Sequence, residues 1–194
     1  MSPRWHRAAI ACAGIGLLFL TGCGLQERQE NEERSAGYGR QIEEDLPSLV
    51  RAAGWDSIGA LREESCNDSP VREHASSTTR WFATAGRRDI SQDEAQSVLE
   101  SVREHAESTG WNSKESTGGP QLLYTASQDD LTLVVRHSTS SGPGLLGVEI
   151  ATPCLEMPEG HTMSRSELDP MYGSPDSLYP NDDRSKFTNG KAKP

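Results

Sequence analysis

The stretch from Ala8 to Leu20 is apolar and free of charge, and it decides which part of the chain is available to fold. Arg4 and Arg7 precede it, and no acidic residue accompanies them. Crossing a bilayer takes about 20 apolar residues, more than this run supplies. Positive charge, a short apolar run and small residues, in that order, make a secretory signal rather than a membrane helix. Residues 1–22 therefore read as a signal peptide, and the domain must be built from residue 23 onward, in an exported compartment.

The run ends in Leu20-Thr21-Gly22-Cys23, which resembles the lipobox of bacterial lipoproteins. That resemblance implies a diacylglyceryl group on the Cys23 thiol and cleavage just before it by a dedicated peptidase. Cys12, inside the apolar run, would leave with the signal. Two acyl chains give a stable anchor where one gives only marginal binding. The expected location is the outer face of the cell membrane, with the membrane as partner through the lipid on Cys23.

Cleavage there leaves 194 − 22 = 172 residues, and the 19 Lys+Arg and 29 Asp+Glu of the full chain become a formal charge of 17 − 29 = −12. Phosphate contacts need Lys and Arg, so nucleic acid is discounted as a partner. An acidic surface is also repelled by anionic lipid heads, which leaves the lipid, not a basic patch, to hold the protein in place. With Cys23 modified, Cys66 and Cys154 remain. In an oxidising compartment a bond between them uses both thiols. Closing so long a loop stabilises by on the order of 3–5 kcal/mol. The alternative is two unpaired buried thiols. No Cys-x-x-Cys pair points to redox catalysis.

Residues 23–40 are polar and charged, which reads as a lipidated, flexible tether. Ile42, Leu46, Leu49, Val50 and Ala53 recur at helical spacing. Pro47 suits a first turn, so this helix is expected to start near Asp45 and to stop at Gly54, ahead of Trp55. Residues 58–66 form a possible strand, diluted by Glu63 and Glu64. Residues 67–77 read as a loop, and Arg80–Ala85 alternates as a strand with Trp81 and Phe82 on opposite faces. Residues 92–108 carry the clearest helix, with a capping box at Ser91 and Glu94 and an apolar stripe of Ala95, Val98, Leu99, Val102 and Ala106. Gly110 and Trp111 come directly after it. Strands are expected over 121–126, 131–136 and 145–152, joined by a tight turn at 127–130 and a loop at 138–144. From 156 to 194 the chain has no apolar period and reads as a largely disordered tail, with a docked first portion as the alternative. The expected fold is a single α+β domain over 41–155, a mostly antiparallel sheet with one or two helices packed on one face.

A helix ending in Gly-Trp comes first, then a cysteine ahead of a Trp-bearing strand. A second helix ends in Gly-Trp, and a last strand closes on Thr152-Pro153-Cys154. This order resembles small lipoproteins of high-GC Gram-positive bacteria over most of 41–155. That group implies no general activity to carry over.

Motifs that carry chemistry are sparse. His74, His105, His137 and His161 match no zinc spacing, although His105 and His137 could meet in space. An eight-residue near-repeat, Val71–Thr78 and Val102–Thr109, lacks the period of a repeat fold. There is no Gly-x-Ser-x-Gly elbow, and Ser140-Ser141-Gly142 lies in a loop. Gly118-Gly119-Pro120 and Gly142-Pro143-Gly144 lack a phosphate-loop pattern. Glu43-Glu44-Asp45 and Asp129-Asp130 lack calcium-loop spacing and read as a solvated face and a turn. No metal, cofactor or catalytic residue is therefore assigned. The expectation is a non-catalytic, membrane-tethered protein that binds an envelope protein, a wall polymer or a small ligand through its sheet. The rivals are an envelope hydrolase, whose site would be assembled only in space, and a metal or ligand carrier.

Overall fold

The computed structural model describes residues 22–67, 75–117, 122–139, 144–188 and 191–192. The signal peptide lies outside these residues apart from Gly22, as do residues 71–74 of the near-repeat with His74, Gly118-Gly119-Pro120, Ser140-Ser141-Gly142 and Pro143. Helix α1 spans Gly22–Ala52 and α2 spans Gln92–Ser108. The main strands are β1 (Ala60–Ser65), β2 (Thr78–Arg88), β3 (Asn112–Thr117), β4 (Leu123–Gln128), β5 (Leu131–Ser138), β6 (Leu145–Ala151) and the short β7 (Leu155–Glu156). A small hairpin of β8 (Phe187–Thr188) and β9 (Lys191–Ala192) ends the described chain.

The sheet runs β1-β2-β6-β5-β4-β3, with β7 also paired to β2, and every pairing is antiparallel. The expected α+β class therefore holds. Alternation does the sorting. Leu61, Trp81, Ala83, Ala85, Tyr124, Ala126, Leu131, Leu133, Val135, Leu146, Val148 and Ile150 share one cluster with Ile42, Leu46, Leu49, Leu99 and Val102 of the helices. Both helices thus cover the same face, which is how two amphipathic stripes and one pleated face close a single core.

The Gly-Trp pairs end the two helices by one device. Gly54 has φ 73° and Gly110 has φ 96°. Trp55 N–H donates to Val50 O and Trp111 N–H to Ala106 O, each at 3.0 Å. These are Schellman closures, in which the residue after a left-handed glycine satisfies an orphan helix carbonyl. Both indoles are then buried in the common core. At the other end of α2, Ser91 Oγ accepts from Glu94 N–H at 3.2 Å, as the capping pattern predicts.

Two expectations need correction. Residues 23–40 are helical rather than a loose tether, and Pro47 lies inside α1 rather than in a first turn. Gly24 and residues 26–30 are exposed, but Asn31, Ser35, Tyr38 and Ile42 are buried at three- and four-residue spacing. The inward positions of this half are Asn, Ser, Tyr and Gly, so no apolar stripe advertises them. Gly39 is there because α1 crosses the Trp81 indole closely: a methyl group on it would stand 2.6 Å from the ring.

The second correction concerns 156–194, which is packed rather than disordered over its described residues. Met157, Met163 and Tyr179 are buried with Arg165, Asp169 and Asp182. This segment covers the outer edge of β1. Glu63 N–H donates to Ser164 O at 2.8 Å, Ser166 N–H to Leu61 O at 3.0 Å, and Leu61 N–H to an Asp169 carboxylate oxygen at 2.9 Å. An open strand edge invites pairing with other chains, and here irregular backbone closes it. Arg165 pins the cover from within, bonding Ser174 Oγ at 2.8 Å and Asp182 at 3.2 Å with its guanidinium 4.0 Å from the centre of the Tyr179 ring.

Strand β3 is signalled by nothing in the sequence. Its residues are polar, and those whose burial is described are exposed. It pairs with β4 around a bulge between Ser113 and Glu115. An edge strand wet on both faces needs no apolar alternation, and a bulge blunts its free edge.

Candidate functional site

Glu63 points into the core side of β1, two residues after Leu61, and is 1% exposed. A carboxylate carried inward by strand alternation must find donors, because an unpaired buried charge is severely penalised. It finds them on three elements. Ser35 Oγ of α1 donates to Oε1, and Thr79 Oγ1 of β2 lies 3.5 Å from the same oxygen. From the C-terminal segment, Ser164 N–H donates to Oε2 at 2.7 Å and His161 Nε2 lies 3.1 Å from it. The same segment also reaches the Glu63 main chain, where Tyr179 Oη donates to the carbonyl at 2.6 Å. Trp81 Nε1–H donates to Ser35 Oγ at 3.1 Å.

His161 has a carboxylate at each ring nitrogen. Nδ1 lies 3.4 Å from Glu32 Oε1 of α1, opposite the Nε2 bond to Glu63. Burial works against charging the ring, but the bonds and charges of Glu63 and Glu32 outweigh it, and the His161 pKa is raised above 6.5. Glu32, Ser35, Glu63, Trp81, His161, Thr162, Ser164 and Asn181 line one cleft of about 240 Å³.

The order of groups decides what this cluster can do. In the Ser-His-Asp arrangement histidine stands between hydroxyl and carboxylate, and the ring takes the hydroxyl proton. Here the carboxylate lies between, and the Ser35 hydroxyl donates to Glu63 while accepting from Trp81. The wiring differs from that triad, and it holds three segments together.

The remaining residues singled out in the sequence are dispersed. Cys66 and Cys154 are disulfide-bonded, with Cα atoms 6.2 Å apart, and tie the strands on either side of β2. Cys23 lies in the first turn of α1, but its side chain is outside the described residues. His105 bonds Ser48 of α1 at 2.9 Å, whereas buried His137 faces Ile90 O at 3.2 Å, so the two serve different contacts. Asp130 accepts from Tyr38 Oη at 2.5 Å, tying the β4–β5 turn to α1. Among the described residues no group of three or more His, Cys, Asp or Glu side chains is placed to hold a metal ion.

Among the described residues the opposite face of the sheet carries no helix. Its rows, read across β2, β6, β5 and β4, are Phe82-Ala151-Thr132-Ser127, Thr84-Glu149-Val134-Thr125 and Gly86-Gly147-Arg136-Leu123. Arg80 lies over the Phe82 ring at 5.6 Å, and Arg136 is 3.9 Å from Glu149. Toward the β3–β4 corner the face dips into an open groove of about 610 Å³ that includes Leu123, Thr125, Val134 and Arg136. Sequence alternation placed Trp81 and Phe82 on opposite faces, and the structure puts Trp81 under α1. Alternation did not mark Glu63 and His161, although an inward-facing charge at strand parity with Leu61 was the available signal.

No family model, no curated protein and no solved structure matches the chain.

Proposed function

We propose that this chain is a lipid-anchored, extracytoplasmic binding protein that docks a protein partner on the bare face of its sheet and performs no catalysis of its own. The observation that carries the reading is the placement of both helices on one face, which among the described residues leaves the other face without a helix. Protein interfaces favour aromatic and arginine anchors at their centre. The bare face offers Phe82 flanked by Arg80, with Arg136, Val134 and Leu123 beside the groove. Arg80 and Arg136 suit a partner presenting carboxylates around an apolar anchor.

Support for the anchor comes from the Leu20–Cys23 motif behind the apolar run. No helix of the described residues is long and apolar enough to cross a membrane. Replacing Cys23 with alanine is expected to move the protein from the membrane fraction to the soluble fraction. Retention of the variant on membranes would remove the lipid from the proposal.

The binding surface is tested by placing a photoreactive side chain at Thr132 on the bare face and, separately, at Ser97 on the exposed side of α2. A discrete adduct of defined mass is expected from position 132 alone, and Arg136→Ala, which removes only an exposed ion pair with Glu149, should abolish it at little cost in thermal stability. No adduct from position 132, or equal adducts from both positions, would overturn the assignment.

A further inference from the structure

His161 sits between two carboxylates from different elements, and its protonation state sets how many bonds it makes. An ionised carboxylate only accepts hydrogen bonds, and a neutral imidazole has one N–H to donate. Nε2 at 3.1 Å from Glu63 and Nδ1 at 3.4 Å from Glu32 are both bonded only when the ring is an imidazolium. The charged groups facing the ring are Glu63 from β1 and Glu32 from α1. Its own segment brings uncharged Thr162, Ser164 and Asn181 to the same cleft. Arg28, one turn before Glu32, is held by Glu156 at 3.4 Å.

We propose that His161 is a proton-operated latch that fastens the amino-terminal half of α1 to the C-terminal segment. The two bonds are unequal. The Glu63 side chain is 2% exposed and that of Glu32 is 55% exposed. A neutral ring keeps its one proton on Nε2, where the buried Glu63 would otherwise lose a donor. Nδ1 then turns a lone pair toward the Glu32 carboxylate, and an attraction becomes a repulsion. The first turns of α1 keep the Asn31 Nδ2–H bond to Glu156 O, at 3.0 Å, and the Ser35 bond to Glu63, but lose their charged tie.

The direction with pH comes from the raised pKa of His161. The contribution of the latch is full below 6.5 and is lost as pH rises through the higher folded-state value. The element released is the one that carries Cys23 in its first turn. A proton in the surrounding medium therefore governs how firmly the body is held to its leading helix. This holds whether or not Cys23 carries a lipid.

The test is amide hydrogen exchange on the full chain, corrected for the intrinsic pH dependence of exchange, with β5 as internal reference. Residues 24–35 are expected to lose about tenfold in protection between about pH 6 and about pH 9, the scale of one charge-assisted hydrogen bond, while β5 stays constant. Glu32→Gln, a change at an exposed side chain, should make that protection independent of pH, because the amide can bond the ring in either state. Constant protection of residues 24–35 in the native chain would overturn the latch, as would an unchanged pH dependence in Glu32→Gln.

Discussion

Replacing Glu63 with alanine is expected to destabilise the fold by about 3–5 kcal/mol, the range for removing one partner of a buried, hydrogen-bonded ion pair. The loss is large because several donors depend on this one carboxylate. Ser35 Oγ–H, Ser164 N–H and the His161 ring all lose their acceptor. The damage should spread to the C-terminal segment, since His161, Ser164 and Tyr179 all close on Glu63. Glu63→Gln keeps a carbonyl acceptor but presents an amide N–H₂ to one group of donors, so its cost should lie between native and alanine. Denaturant unfolding of the three proteins measures this order. A midpoint for Glu63→Ala within error of the native value would show that the cluster contributes nothing to stability.

Opening the Cys66–Cys154 bond should cost about as much by a different route. It closes a loop with a sequence separation of 88, which corresponds to about 4–5 kcal/mol of lost unfolded-state entropy. For a chain of this size that is a fall in Tm of roughly 10–20 °C. The bond spans β2, joining the end of β1 to the link between β6 and β7, and Cys154 is exposed enough for a reductant to reach. Thermal unfolding with and without reductant, and of Cys154→Ser, should give the same loss. A shift of only a degree or two would mean that the reduced unfolded chain already keeps these strands together.

Most of the regular structure is legible in the order of residues. Helix α2 starts and stops where Ser91 and Gly110 signal, because capping is a local hydrogen-bonding problem solved by neighbouring residues. Strands β2, β5 and β6 follow from alternation, since each presents one face to the core. The elements that escaped share the absence of apolar period. Strand β3 buries none of its described side chains. The first half of α1 turns Asn31, Ser35, Tyr38 and Gly39 inward, and a stripe of such residues looks like solvent-facing sequence. The segment after Glu156 is held by Arg165, Asp169 and Tyr179, each bonded to a residue chosen by the fold rather than by spacing.

Both ends of α2, the C-terminal end of α1, the strand parity, the pairing of Cys66 with Cys154 and the α+β class were legible in residue order. All of these rest on short-range periodicity or on counting. The meeting of Glu32, Glu63 and His161 is a product of tertiary packing. Glu63 and His161 are 98 positions apart, and Glu32 and His161 are 129 apart. Polar recognition over such distances leaves no period in the chain: one buried carboxylate specifies its partners by geometry, and each partner alone is an ordinary surface residue. The same holds for the cover over the β1 edge. A strand edge is satisfied by backbone groups that every residue carries, so nothing in side-chain order reveals which segment will supply them.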